Sequence, residues 1–254
     1  MAGAQTLMAG ACGLIIGLVM GLTGAGGALV AIPLFIHILG MPLKEASVLS
    51  LLAVVIASSS NLWFQRKEAD LRLGLFLLIF SGVGSFVASS WKSALPDTFL
   101  AGLLIAIAVY ASYNMWRSMP LSSATHTHKP KLTQQALLSI SVGTLLGILT
   151  TLTGLGGGVL MVPVLQRLYH YPASRAVATS LLAVSLSSML SLFIQHFRGH
   201  PLTPDLSWTF LFAGIVLGAF AISKVLRQVS TDHVLLARKV VFSLVAALAV
   251  LTLL

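Results

Sequence analysis

A long motif occurs twice in this chain: GLTGAGGALVAIP at 21–33 returns as TLTGLGGGVLMVP at 151–163. Thr23 and Thr153 are 130 positions apart, and so are Pro33 and Pro163. The same spacing joins Pro42 with Pro172, Gln65 with Gln195, and the run Ser50, Leu51, Leu52, Ala53, Val54 with Ser180, Leu181, Leu182, Ala183, Val184. A shared apolar composition would give scattered Leu and Ala matches, not aligned Gly and Pro residues. The chain is therefore a duplicated unit.

The composition places this unit in a membrane. Of the 254 residues, 57% are hydrophobic and 8% are charged, whereas an ordinary soluble domain carries about a quarter charged residues. Several apolar runs are long enough to cross a hydrocarbon core of about 30 Å as helices. These runs are 45–65, 73–95, 97–116, 176–197, 207–226 and 232–254. The sequence predicts an all-α integral membrane protein.

Two further apolar runs, 7–39 and 135–169, contain the repeated motif. At about 1.5 Å per residue, each would form a helix about 50 Å long, which exceeds a simple span. Each run is either one broken span or a hairpin of two short segments that returns to its starting side. The hairpin puts six basic residues of the second half in the cytoplasm and leaves only Arg198 outside, which the positive-inside rule favours. The six are Arg167, Arg175, Lys224, Arg227, Arg238 and Lys239.

With a hairpin, each half has about five segments, an odd number, so the two halves lie in the membrane in opposite orientations, as in many secondary transporters. The predicted parts are a first repeat at 1–117, a cytoplasmic linker at 118–134 and a second repeat at 135–254, with both termini in the periplasm. The first run, which contains the only cysteine, Cys12, is expected to be mature structure and not a signal peptide. Topology accounts for the net charge of +9, so no nucleic-acid partner is expected. Lys44 and Lys92 are then outward-facing loop cations. Gln65 and Gln195, which match near helix ends, either gate a pathway or lie at the interface, and we favour the interface.

The repeated glycines predict a helix break inside the membrane. Glycine gives the backbone high freedom, and non-helical backbone at bilayer depth is tolerated only where protein buries it or where it lines a polar cavity. A helix that restarts at Ala28 or Val159 presents free N–H groups and a positive dipole end, which suit an anion. The alternative is that these glycines only let helices approach closely, as we expect for Gly13, Gly17 and Gly21.

Polar residues near the motif extend the candidate site. Thr23 and Thr153 either donate a hydroxyl to a ligand or cap the restarted helix. A polar run, Ser58, Ser59, Ser60 and Asn61, is answered by Ser185, Ser187, Ser188 and Ser191; these side chains either donate to an anion or bond neighbouring helices. The predicted substrate-binding residues are Thr23, Gly24, Gly26, Gly27, Asn61, Thr153, Gly154, Gly156, Gly157 and Ser188.

The acidic residues exclude several functions. All six fall at helix starts or in a loop: Glu45, Glu68, Asp70, Asp97, Asp205 and Asp232. A proton relay or a cation cage would need carboxylates inside the membrane, so the pathway suits a negative solute. Cys12 has no histidine nearby, and an enzyme would need a nucleophile with a base or metal ligands. The sequence therefore predicts no enzyme, cofactor or metal.

The doubled glycine motif with its following proline resembles the TauE/SafE sulfite exporter family, and the resemblance covers nearly the whole chain. It implies a transporter that moves small sulfur-containing oxyanions such as sulfite or organosulfonates across a bacterial inner membrane, but it does not fix the direction, because members are associated with both export and uptake. Export is the predicted direction because a negative cell interior favours anion efflux. The resemblance singles out Thr23, Gly24, Gly26, Gly27 and Thr153, Gly154, Gly156, Gly157. The two copies differ at Ala25 against Leu155 and at Ala28 against Gly158, so strict twofold symmetry is not expected. An anion channel or an uptake permease is the alternative; the expected partners are a small anion and the lipid bilayer.

Overall fold

The computed structural model describes residues 2–23, 28–117, 132–198 and 206–226, and scattered positions between 236 and 247. Within these residues the secondary structure is helical, without β-strands, which confirms the all-α prediction. The helices are α1 (Ala2–Thr23), α2 (Ala28–His37), α3 (Leu43–Gln65), α4 (Leu71–Lys92), α5 (Asp97–Arg117), α6 (Leu132–Thr153), α7 (Gly158–Leu168), α8 (Ala173–Phe197) and α9 (Leu206–Leu226).

Five of these helices are long and apolar enough to cross a bilayer: α3, α4, α5, α8 and α9. They coincide with five of the six simple spans predicted from the sequence. The sixth, 232–254, lies largely outside the described residues, as do positions 118–131 of the predicted linker. The chain is thus an integral membrane protein with several apolar helices.

The second motif-bearing run is divided into two helices, and the described parts of the first run are also two helices. In the second run α6 ends at Thr153 and α7 begins at Gly158. In the first run α1 ends at Thr23 and α2 begins at Ala28, while residues 24–27 lie outside the described residues. α2 and α7 are short, and each has a proline inside the helix, at Pro33 and Pro163. The second run therefore does not form a single helix of the length that would exceed the membrane.

Helices of the first half pack mainly against helices of the second half. α1 of the first half packs on α9, α4 of the first half packs on α6, and α3 packs on α8 between them. A Cβ atom at Gly17 would overlap the carbonyl oxygen of Ile215, and one at Gly147 would overlap that of Ser81. Glycine thus lets both pairs of helices touch backbone to backbone, as small residues do at membrane helix crossings. The close approach expected at Gly13 and Gly17 is confirmed.

One end of the bundle is joined by Asp70, the residue before α4. Its carboxylate accepts from the backbone N–H of Leu73 at 3.2 Å, from the Tyr171 hydroxyl at 2.7 Å and from the Arg175 guanidinium at 2.7 Å. The backbone N–H of Asp70 donates to the hydroxyl of Thr179 at 3.0 Å. The end of α3 and the start of α4 therefore lie beside the start of α8. Arg175 is held in an ion pair with Asp70.

The other end of the bundle is joined by Lys92, the last residue of α4. Its ammonium donates to the hydroxyl of Ser47, near the start of α3, at 2.8 Å. It also donates to the side-chain oxygen of Gln195, near the end of α8, at 2.9 Å. α3 and α8, the matching helices of the two repeats, consequently run in opposite directions.

The glycine crossings can be tested by comparing two alanine variants. Gly147→Ala places a methyl group against the carbonyl oxygen of Ser81, whereas a Cβ at Gly102 has no atom within 4 Å. We expect Gly147→Ala to lower the free energy of unfolding in detergent by about 1–3 kcal/mol. Gly102→Ala should leave it unchanged or raise it by up to about 1 kcal/mol, because alanine favours helix. Equal stability of the two variants would contradict the close crossing.

The Asp70 cluster predicts a dependence of stability on pH. Burial raises the pKa of the Asp70 carboxyl, but the hydrogen bonds from Tyr171, Leu73 and Arg175 outweigh it and hold the pKa below 3.8. A lowered folded-state pKa stabilises the fold above the unfolded value, and this contribution is lost as pH falls through the folded-state pKa. Burial and the bond to Asp70 raise the pKa of Tyr171, so it stays a donor.

We expect Asp70→Asn to cost about 1–3 kcal/mol at neutral pH, because it removes a charged hydrogen-bond acceptor. The difference from the wild type should shrink only below pH 3.8. Asp97→Asn is the control, since Asp97 pairs with Lys44 at 3.4 Å with 60% of its side chain exposed, and exposed pairs contribute about 0–1 kcal/mol. Thermal unfolding across a pH series measures both. A loss for Asp97→Asn as large as that for Asp70→Asn would rule out a special role for the cluster.

Candidate functional site

The helix break between α6 and α7 is built from glycines in the left-handed region. Gly154, Gly156 and Gly157 have φ angles of +73°, +65° and +66°, which other residues rarely adopt. Residues 154–158 are all buried. The sequence breaks the helix here because three glycines occupy conformations that a continuing α-helix does not contain.

Thr153 closes the end of α6 with its side chain. Its hydroxyl donates to the backbone carbonyl of Leu149 at 2.6 Å and accepts from the backbone N–H of Leu155 at 3.3 Å. These bonds lie at the end of α6 and within the break, so Thr153 does not cap the restarted helix α7, whose N-cap position is Gly157. Its hydroxyl proton is already used inside the protein.

Both backbone polar groups of Gly154, the first residue of the break, have hydrogen-bond partners. The N–H of Gly154 donates to the carbonyl of Thr150 at 2.9 Å. The carbonyl of Gly154 accepts from the hydroxyl of Ser50 on α3 at 2.8 Å. Ser50 thus supplies, from the first half, a hydrogen bond that the broken backbone of the second half lacks in hydrocarbon.

The start of α7 has no such closure. Gly157 stands at its N-cap position without a side-chain cap, and its carbonyl accepts from the N–H groups of Leu160 and Met161, both at 3.2 Å. The first N–H groups of any α-helix have no acceptor within the helix, and they carry the positive end of the helix dipole. A buried, uncapped helix start is an electropositive surface made of backbone.

Unpaired hydroxyls surround this helix start. Among the described residues, four buried side-chain atoms have no hydrogen-bond partner: Thr150 Oγ1, Ser180 Oγ, Ser188 Oγ and Gln195 Nε2. A Cβ at Gly156 would lie 3.0 Å from Ser188 Oγ, and one at Gly157 would lie 3.2 Å from Thr150 Oγ1. An unpaired buried polar group is costly and rare in proteins. Two of the four therefore stand at the glycine break with hydroxyls available to a ligand.

The structure brings together one half of the predicted site. Thr153, Gly154, Gly156, Gly157 and Ser188 lie around the α6–α7 break. Their counterparts Gly24, Gly26 and Gly27 lie outside the described residues, as does the side chain of Thr23, whose backbone ends α1.

Asn61, on α3, lies away from this break and beside the end of α1. Its Nδ2 donates to the carbonyl of Ala57 at 2.8 Å, and its Oδ1 accepts from the hydroxyl of Ser223 on α9 at 3.1 Å. The same Oδ1 would be 3.4 Å from a Cβ at Gly21. Both polar atoms of the Asn61 amide thus have partners within the protein. The amide lies beside Gly21, two residues before Thr23 of the first motif.

The polar runs on α3 and α8 mostly bond within the protein. Ser59 and Ser185 share a hydrogen bond of 2.8 Å between the two helices. Ser191 bonds Ser85 at 2.8 Å and Thr151 at 3.1 Å. The hydroxyls of Ser58, Ser60 and Ser187 donate to carbonyls of their own helix. Helix bonding is therefore the better account of these serines, and Ser188 stands apart from them.

Sequence reasoning did not assign Lys92 to the site, and it favoured the interface over a gating role for Gln195. Lys92 is 3% exposed and Gln195 is 0% exposed, so both residues are buried within the protein. Ser47 and Thr150 were also missed. Ser50 carried a signal, because it opens the identical five-residue run of the two copies. Lys92, at the end of an apolar run, has no comparable sequence signal.

A groove of about 770 Å³ lies between α3, α4 and α8. It is lined by apolar residues and His196: Val48, Leu52, Val55, Leu78, Leu186, Met189, Leu190, Leu192, Phe193, His196 and Phe197. Such a lining offers an oxyanion few donors. The glycine break has the chemistry that the groove lacks.

The sequence of this chain also matches a known protein family. The model of the sulfite exporter TauE/SafE family matches residues 9–252. The chain is 27% identical to the probable membrane transporter protein YunE of Bacillus subtilis (strain 168), over 92% of this chain and 93% of the relative. It is 25% identical to a probable membrane transporter protein of Xylella fastidiosa (strain Temecula1), over 87% and 85%. A third relative, the probable membrane transporter protein MJ0441 of Methanocaldococcus jannaschii, is 29% identical over 70% and 67%.

No solved structure matches this chain. The family and the relatives are membrane transporters, in agreement with the prediction that the chain is not an enzyme. The family model covers nearly the whole sequence, and both copies of the glycine motif fall within it. The chain belongs to the TauE/SafE sulfite exporter family of membrane transporters.

Proposed function

We propose that this protein exports small sulfur-containing oxyanions, such as sulfite or organosulfonates, by alternating access around its paired glycine breaks. The observation that carries the proposal is the buried start of α7, which has no side-chain cap and faces the unpaired hydroxyls of Ser188 and Thr150. Backbone N–H groups and hydroxyls donate to an anion without a fixed charge that would hold it too tightly.

The acidic residues support an anion rather than a cation. Among the described carboxylates, Glu45 and Asp97 stand at helix starts, and Asp70 is neutralised by Arg175. None of them contacts the glycine break. A cation site or a proton relay would need carboxylates there.

The directions of the helices support an inverted repeat of the halves 1–117 and 135–254. α3 and α8 occupy matching positions in the two copies and run in opposite directions. The packing of α1 on α9 is answered by that of α4 on α6, as an axis in the membrane plane would require. The two breaks would then meet near the midplane, where Leu155 shares a hydrophobic cluster with Leu29 and Val30.

The Asp70 cluster supports the hairpin form of α6 and α7. α4 and α5 cross the membrane twice, so the loop before α4 lies on the same side as the linker at 118–134. Tyr171 contacts Asp70, so the loop after α7 lies on that side too. The α6–α7 run therefore returns to the side on which it began, which the charge rule makes cytoplasmic.

Export follows from the membrane potential. A cell interior held negative favours efflux of an anion by about 2.3 kcal/mol per charge for each 100 mV. With cytoplasmic loops at 66–70 and 169–172, both chain ends face the periplasm of a bacterial inner membrane. The second candidates are an anion channel and an uptake permease, which the unpaired hydroxyls would serve equally.

Ser188→Ala tests the anion site against a matched neighbour. We expect it to raise the apparent KM for sulfite in proteoliposomes by about threefold to tenfold, the effect of one lost neutral hydrogen bond. Its thermal stability should not fall, because the removed hydroxyl has no partner. Ser187→Ala is the control, since that hydroxyl donates to Val184 at 3.2 Å, and its KM should stay unchanged.

Equal kinetics of Ser188→Ala and the wild type would remove this hydroxyl from the pathway. Absence of flux for sulfite, taurine and sulfate alike would refute the proposed transport. Saturable flux is expected of a carrier, whereas a current that grows in proportion to voltage would favour the channel.

The proposed topology predicts labelling of single cysteines in a Cys12→Ser background. A membrane-impermeant maleimide should label Ser93→Cys in spheroplasts, because the loop after α4 faces the periplasm. Lys67→Cys and Ser174→Cys should be labelled only after lysis, since both lie at the Asp70 end of the bundle. Labelling of Ser174→Cys from outside, with Lys67→Cys protected, would contradict the hairpin.

A further inference from the structure

Among the described residues, Lys92 is a buried lysine without an acidic partner. Its side chain is 3% exposed, and its two hydrogen-bond acceptors, Ser47 and Gln195, are both neutral. Within the described chain the carboxylates that form ion pairs are Asp97 with Lys44 and Asp70 with Arg175. Lys92 pairs with neither. A buried charge without a counter-charge is strongly unfavourable, so this position attracts an anion.

Two donor groups with unused N–H groups, Lys92 Nζ and Gln195 Nε2, stand side by side at this position. An ammonium has three N–H groups, and Lys92 uses two of them. Gln195 accepts from Lys92 through Oε1, while its Nε2 is buried without a partner. Nε2 adds two further N–H groups. The pair thus offers one charged and two neutral donors, which suit a solute with several acceptor oxygens on one atom.

This pair is joined to the glycine break through α3. The Ser47 hydroxyl accepts from Lys92, and the Ser47 backbone lies against Gly154, where a Cβ would overlap its carbonyl oxygen. Ser50, one turn further along α3, donates to the carbonyls of both Ser47 and Gly154 at 2.8 Å. An anion at Lys92 is therefore separated from the break by residues of a single helical turn.

We propose that Lys92 and Gln195 form a second anion subsite that selects the transported solute by its negative charge before it reaches the glycine break. The inference rests on the proposed function for the identity of the solute, a singly or doubly charged sulfur oxyanion. Both side chains are buried, so the solute reaches them when the ends of α4 and α8 part during the transport cycle. The subsite is not repeated in the other half. After Gln65 the spacing of the two copies increases by four residues, which pairs Gly84 with Gly218 and puts Leu226 opposite Lys92.

Binding of methanesulfonate to the purified protein in detergent tests this subsite. The probe carries one negative charge, and dimethyl sulfone is its neutral counterpart of similar shape. At constant ionic strength we expect methanesulfonate to raise the midpoint of thermal unfolding with a saturable dependence on concentration. Dimethyl sulfone should leave the midpoint unchanged. A shift of equal size for both compounds, or none for methanesulfonate or sulfite, would overturn the proposal.

Two variants assign the binding to this pair. Lys92→Met should weaken methanesulfonate affinity by at least about 30-fold, because it removes a buried charge that the anion neutralises. Gln195→Glu is the sharper variant, since it keeps the shape and gives Lys92 an internal carboxylate. It should raise the midpoint without anion and abolish the shift with anion. Unchanged affinity in either variant would overturn the proposal, and Gln195→Glu remains informative if Lys92→Met fails to fold.

Lys44→Met is the matched control. Lys44 lies near the same end of the bundle but pairs with Asp97 and is 38% exposed, so its loss should change affinity by less than about twofold at fixed ionic strength. A loss equal to that of Lys92→Met would indicate a general surface field and would overturn the subsite.

Flux in proteoliposomes separates this inference from the proposed function. Binding that depends on Lys92 without flux of any oxyanion would refute transport and leave the subsite standing. Sulfite flux with the same KM in Lys92→Met and the wild type would refute the subsite and leave transport standing.

Discussion

Hydrocarbon offers no hydrogen-bond partner to a polypeptide, and the rest of this structure depends on how the break at 154–157 satisfies that constraint. Ser50 reaches across from α3 to the carbonyl of Gly154, and Thr153 binds the N–H of Leu155. The close crossing at Gly147 brings α4 against α6, the helix that leads into the break. The glycines of the crossings and the glycines of the motif thus have different tasks, one in packing and the other in backbone conformation.

The charges at the two ends of the bundle are arranged in opposite ways. At one end Arg175 and Asp70 neutralise each other, and Tyr171 and Thr179 complete the cluster, so this end is closed chemically. At the other end Lys92 has neutral partners and an open donor beside it. A transporter that moves anions needs a site where charge is not yet matched. The proposed cycle places that site at the end where the structure has left a cation unpaired.

Much of the fold follows from the sequence. The spans α3, α4, α5, α8 and α9 were predictable because apolar length is a sufficient signal in a bilayer. The division of the second motif-bearing run was predictable because glycine in three nearby positions disfavours a continuous helix. The hydrogen-bond partners of the polar side chains could not be predicted from the sequence. The sequence could not separate the ligand and capping roles of Thr153, nor distinguish Ser188 from Ser187, because the direction of a hydroxyl depends on neighbours that are distant in the chain.

The sequence by itself determined the solvent, the duplication and the places where the helices break, since each depends on composition or local backbone preference. The tertiary structure alone decided which polar groups stay unpaired. Lys92 and Gln195 are more than a hundred positions apart, and both had the sequence character of membrane-boundary residues. They form a buried pair because α4 and α8 end side by side. Burial and charge compensation are properties of such contacts, and no local pattern encodes them.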